Sequence, residues 1–108
     1  METKTDKWVV IRIGNTDPIY KVFASWAGGY LDGDSWQINS GIKSVEDAGE
    51  YYNFIGYSGS VYVCWKTAYG IATSYSENML NTIIARGVEN DIPVNIMPAD
   101  TDWLDLIK

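Results

Sequence analysis

The sequence predicts an α+β domain, an antiparallel β-meander of five or six short strands with one main α-helix packed on one face. Three observations lead there. Short apolar runs separated by Gly, Asp, Asn and Pro fill the first two-thirds of the chain. The apolar spacing then changes to three and four at Met79, Leu80, Ile83 and Ile84, and Ser74 and Gly87 bracket that stretch as helix signals.

The run Trp8 to Ile13 is unbroken and rich in β-branched residues, which reads as a central strand, and it ends at Gly14-Asn15 with Asp17-Pro18 as turn chemistry. Ile19 to Trp26 reads as its hairpin partner, stopping at Gly28-Gly29. Asp32-Gly33-Asp34 is a turn. Trp36, Ile38, Ser40 and Ile42 then share a period of two and predict a third strand up to about Val45, with a bulge at Gly41. Asp47-Ala48-Gly49 reverses the chain into Tyr51 to Tyr57, and Ser58-Gly59 reverses it again into Ser60 to Lys66. In the helix, Ser74-Tyr-Ser-Glu77 fits a capping box and Gly87 a C-terminal stop. Pro93 to Met97 reads as an edge strand, and Thr101 to Ile107 as a final helical turn or two capped by Thr101 or Asp100.

With 108 residues, 46 % of them hydrophobic, the chain has enough apolar material for one core and shows no linker or repeat, so residues 1–108 are expected to form one domain. Residues 1–6, polar and mixed in charge, are expected to lack fixed structure and show no signal-peptide pattern. Nothing approaches a membrane span, and a single cysteine, Cys64, fits a reducing compartment, so a cytoplasmic location is expected. The net charge of −6 opposes direct binding to nucleic acid or an anionic membrane.

Several chemistries fail on their residues. Gly28 to Ser35 has the glycine spacing of a phosphate-binding loop, but Asp34 stands where the lysine belongs and a strand pattern follows instead of a helix. Asp32-Gly33-Asp34 starts like a calcium loop, yet Trp36 and Lys43 occupy positions that need oxygen ligands. With no histidine and one cysteine, a tetrahedral zinc site, a Ser-His-Asp triad and a Cys-His dyad cannot be assembled within the chain. Cys64, between Val63 and Trp65 in a strand, reads as a packing residue. No cofactor, metal or catalytic residue is therefore expected. Paired carboxylates remain in Asp32 and Asp34, Glu46 and Asp47, and Glu50, which leaves a carbohydrate-binding or glycan-acting module, using Asp32, Asp34 and exposed rings, as the alternative class.

The aromatic distribution says most about function. Tyr51, Asn53, Ile55 and Tyr57 fall on one side of a strand and Tyr52, Phe54 and Gly56 on the other, so rings occupy both faces while only one face can be the main core. The remaining rings are either cross-strand pairs that stabilise the sheet or anchors for a partner. A second feature is acidic: Glu89, Asp91, Asp100, Asp102 and Asp105 follow one another with no basic residue between them.

Ser25 to Ile42, with its Trp26-Ala-Gly-Gly-Tyr-Leu-Asp-Gly-Asp-Ser-Trp36 core, continued by Tyr51 to Cys64, resembles small uncharacterised proteins encoded by tailed bacteriophages. That resemblance implies an origin and, with it, a small acidic protein that inhibits or modulates host machinery by binding. The expectation is a non-enzymatic protein that meets a host protein or complex through an aromatic and acidic surface formed by Tyr30, Asp32, Asp34, Tyr51, Tyr57, Asp100, Asp102 and Asp105. In one variant the line of carboxylates imitates DNA phosphates.

Overall fold

The computed structural model describes residues 2–28 and 35–107. Eight strands and two helices follow in the order β1 (Glu2–Lys4), β2 (Lys7–Ile13), β3 (Ile19–Trp26), β4 (Ser35–Ile38), β5 (Ile42–Asp47), β6 (Tyr51–Gly56), β7 (Val61–Trp65), α1 (Ser74–Glu89), β8 (Val94–Ile96) and α2 (Trp103–Leu106). The α+β class with one main helix is as the sequence predicts. The strands, however, divide into two four-stranded sheets, an inner one in the order β4-β3-β2-β8 and an outer one in the order β1-β7-β6-β5.

The run Trp8 to Ile13 is unbroken because the inner sheet is covered on both faces. Trp8, Val10, Val22 and Ala24 face the outer sheet's Phe54, Tyr62 and Cys64, and Trp103 plugs the same core. Val9, Ile11 and Phe23 point the other way, onto Leu80 of α1 and partly buried Ile83 and Ile84. The layers are therefore outer sheet, inner sheet, helix. Only one face of the outer sheet is left without a layer against it among the described residues.

Two bent connections join the sheets, as corners between packed sheets do. The stretch from Trp36 to about Val45, read as one strand, turns at Asn39-Ser40-Gly41 from the inner sheet into the outer one. Gly41 adopts φ 121°, a conformation costly for any residue with a side chain. Asn39 Oδ1 holds the corner, accepting from Val22 N at 3.0 Å and Gly41 N at 3.2 Å. The period of two continues across the bend, which is why the pattern hid it. At the other corner β1 runs into β2 through Thr5 and Asp6. Residues 2–4, expected to lack structure, pair in parallel with β7, Glu2 opposite Val61 and Lys4 opposite Val63. Their polar side chains carry no apolar signal because the backbone makes the contact. Thr5 adds two bonds to the Val63 carbonyl, from N and from Oγ1.

Helix α1 is capped by Thr73, whose Oγ1 accepts from Ser76 N at 3.2 Å, one residue before the expected Ser74. Nor is Gly87 a stop. It is buried inside the helix, and a Cβ there would stand 2.3 Å from the Ile92 carbonyl oxygen. This glycine permits the last turn of α1 to close on β8. In α2 the cap is Asp102, accepting from Asp105 N, and neither Thr101 nor Asp100 takes that role. No helix among the described residues is long and apolar enough to cross a membrane.

Candidate functional site

Hairpin register decides which rings reach the open face. Gly59 N donates to Gly56 O, Gly56 N donates to Ser60 O, and Gly59 has φ 91°, so the loop is Tyr57-Ser58-Gly59, three residues ending in a left-handed glycine. That loop sets Tyr51 opposite Trp65, Asn53 opposite Val63 and Ile55 opposite Val61. Tyr52 and Phe54 turn inward, where both rings contact Trp8. Tyr51, Asn53, Ile55, Val61, Val63 and Trp65 therefore share the outward face. Tyr51 and Trp65 meet edge to face at 5.3 Å between ring centroids, and Trp65 keeps 42 % of its surface exposed.

Charges border this face on both sides. Glu2 and Lys4 of β1 lie beyond Val61 and Val63, while Ser44 and Glu46 of β5 lie beyond Ile55 and Asn53. Exposed Glu50 precedes Tyr51 and lines a hollow with Trp65, Lys66 and Thr67. At the centre, Asn53 has a buried Oδ1 with no hydrogen-bond partner among the described residues. Asp47 is occupied in structure: its Oδ1 accepts from Lys66 Nζ at 2.8 Å and Gly49 N at 2.9 Å, and these contacts hold the carboxyl below its ordinary pKa. Lys66 also sits over the Tyr52 ring, 4.7 Å from its centroid.

The structure separates the sequence-selected residues. Tyr51 starts β6 and Tyr57 follows its end, about 20 Å away at strand rise. Tyr57, 68 % exposed, lines a different feature, a groove of about 420 Å3 between the sheets that also takes in Ile19, Ile42, Lys43, Leu106 and Ile107. Asp100, Asp102 and Asp105 are exposed in and before α2, and Asp102 spends its carboxylate on the helix cap. Tyr30, Asp32 and Asp34 lie outside the described residues.

Sequence reasoning missed Trp65. Its pairing with Tyr51 depends on the loop length, since a two-residue Ser58-Gly59 turn would shift the register by one. Cys64 is buried, and loss of solvent pushes its thiol up to about 12, so it stays protonated at neutral pH. Among the described residues no group of three or more Cys, Asp or Glu side chains could hold a metal ion.

Comparison with protein-family models, with curated proteins and with solved structures finds no match to this chain.

Proposed function

We propose that this chain is a non-enzymatic binding protein that grips a protein partner through the open face of the outer sheet, with Tyr51 and Trp65 as anchors and Glu46 and Glu50 meeting basic residues of the partner. The uncovered Tyr51–Trp65 pair carries the reading. Tyrosine and tryptophan offer large, stiff contact area, and interface hot spots are enriched in both. The carboxylates at the border and the net charge of −6 favour a partner surface carrying lysine or arginine. The resemblance to tailed-phage proteins supplies the setting: the partner is a host protein or complex in the host cytoplasm, blocked or redirected by being bound.

Affinity capture from cells with the tagged wild type, Trp65→Ala and Tyr57→Ala tests this. A partner retained by wild type and Tyr57→Ala but lost from Trp65→Ala supports the proposal. A partner indifferent to Trp65→Ala but lost when Asp100 and Asp105 become asparagine would overturn it in favour of phosphate mimicry.

A further inference from the structure

The inner sheet ends at β8, and only half of that strand's backbone is used by the fold. Met97 N donates to Val10 O at 2.8 Å and Gly14 N to Pro93 O at 2.9 Å. In an antiparallel ladder hydrogen-bonded pairs alternate with unbonded ones, so Asn95, opposite Arg12, also turns its N–H and C=O toward β2. Val94 and Ile96 then point theirs off the edge of the sheet. No strand among the described residues lies there to receive them.

We propose that β8 pairs with β8 of a second copy of this chain, antiparallel about a twofold axis through Asn95. The outward groups belong to residues two apart, so this register sets Val94 of each copy against Ile96 of the other as hydrogen-bonded pairs. Four backbone bonds result. The two Asn95 residues form the closer, unbonded pair, within reach of each other's amides. Beyond Val94 and Ile96 the next outward positions are Ile92, whose N–H already donates to Gly87 O, and Pro98, which has none, so the ladder gains no further donor by lengthening or slipping by two.

The side chains beside the edge fit a second copy as well. Gly87 brings the end of α1 onto Val94, and Val88 and Ile92 project beside it, 72 % and 48 % exposed, with Ile96 on the same face at 42 %. Scattered exposed apolar residues are ordinary, but these three lie on or beside one strand whose outer edge is unpaired among the described residues. At the outer sheet's β5 edge, by contrast, the register shifts between Ile42 and Ser44, and Lys43, Glu46 and Asp47 lie exposed along it. A twofold β8 pairing closes on itself, joining two inner sheets into one of eight strands in which both β8 edges are used up and β4 stands at each end. Each copy carries −6, so repulsion opposes the pairing and added salt strengthens it.

Sedimentation equilibrium of the full chain and of Ile96→Pro provides the test. Ile96 gives no hydrogen bond to β2, so proline there removes an outward donor while leaving the internal ladder. The expected result is a wild-type mass near twice 12.1 kDa at high concentration, rising with salt, and Ile96→Pro at 12.1 kDa with an unchanged melting temperature. A wild type that stays at 12.1 kDa at every concentration, or a folded Ile96→Pro that still dimerises, would overturn the proposal. Amide exchange on wild type covers a variant that fails to fold. Val94 and Ile96 should become protected only as concentration rises, while Asn95 is protected throughout. Protection of Val94 and Ile96 that ignores concentration would equally overturn it.

Discussion

Gly87 and Cys64 are two positions whose environment goes beyond what their sequence context says. Gly87 follows Arg86 near the end of the apolar periodicity, where glycine ordinarily stops a helix, yet here it is a contact point under the Ile92 carbonyl. Gly87→Ala should therefore lose the usual helix-propensity gain and destabilise the fold by about 1–3 kcal/mol, because Ile92 and Val94 must move away. Urea unfolding measures it, and an alanine variant as stable as wild type would contradict the close approach. Cys64 was legible as a packing residue, though not the depth of its burial. Its ordinary pKa is 9.0 and the folded value is about 12, with burial as the main cause. Between those values the unfolded chain has shed a proton that the folded chain keeps, so this stability is whole below pH 9.0 and falls as pH rises toward 12. Tyr69, pushed up from 10.0 to about 12 by burial, adds the same trend at higher pH. Thermal melts across this alkaline range should drop more steeply for wild type than for Cys64→Ala. Equal slopes would mean that the thiol titrates alike in both states.

At the level of elements, period and punctuation reveal strands more surely than they reveal partners. Ile19–Trp26 has the bounds its pattern predicts, and the β5–β6 hairpin turns at Gly49, φ 92°, as expected. The bend at Asn39 to Gly41 was not legible because alternation survives a change of sheet, and β1 was not because an edge strand held by backbone bonds needs no apolar side chains. Helix α2 is a different case. Four residues cannot hold a helix alone, so α2 depends on Trp103, buried against Trp8, Phe54 and Tyr69. Trp103→Ala should cost about 3–5 kcal/mol and release the chain after β8 to proteolysis. Limited digestion beside a denaturation curve checks both effects, and a small loss with the C-terminal segment still protected would show that Asp102 and Leu106 hold it instead.

For the whole molecule, three layers leave one sheet face without a covering layer among the described residues, and the hairpin register places an aromatic pair on it. The sequence showed that rings must occupy both faces of the meander. It could not show that Trp65 would join Tyr51, since that depends on one loop residue, nor that Tyr57 would stand at the far end in a separate groove. The acidic line from Glu89 to Asp105 was visible, but not the diversion of Asp102 into a helix cap. The binding patch proposed is therefore Tyr51, Trp65 and the carboxylates beside them, a narrower patch than the set read from the sequence. Titration calorimetry of the captured partner against wild type, Trp65→Ala and Tyr57→Ala is the most direct measurement. The account predicts that Trp65→Ala weakens binding by about 2 kcal/mol or more, roughly 30-fold, with an unchanged melting temperature, while Tyr57→Ala binds as wild type does. Full affinity in a folded Trp65→Ala would contradict it.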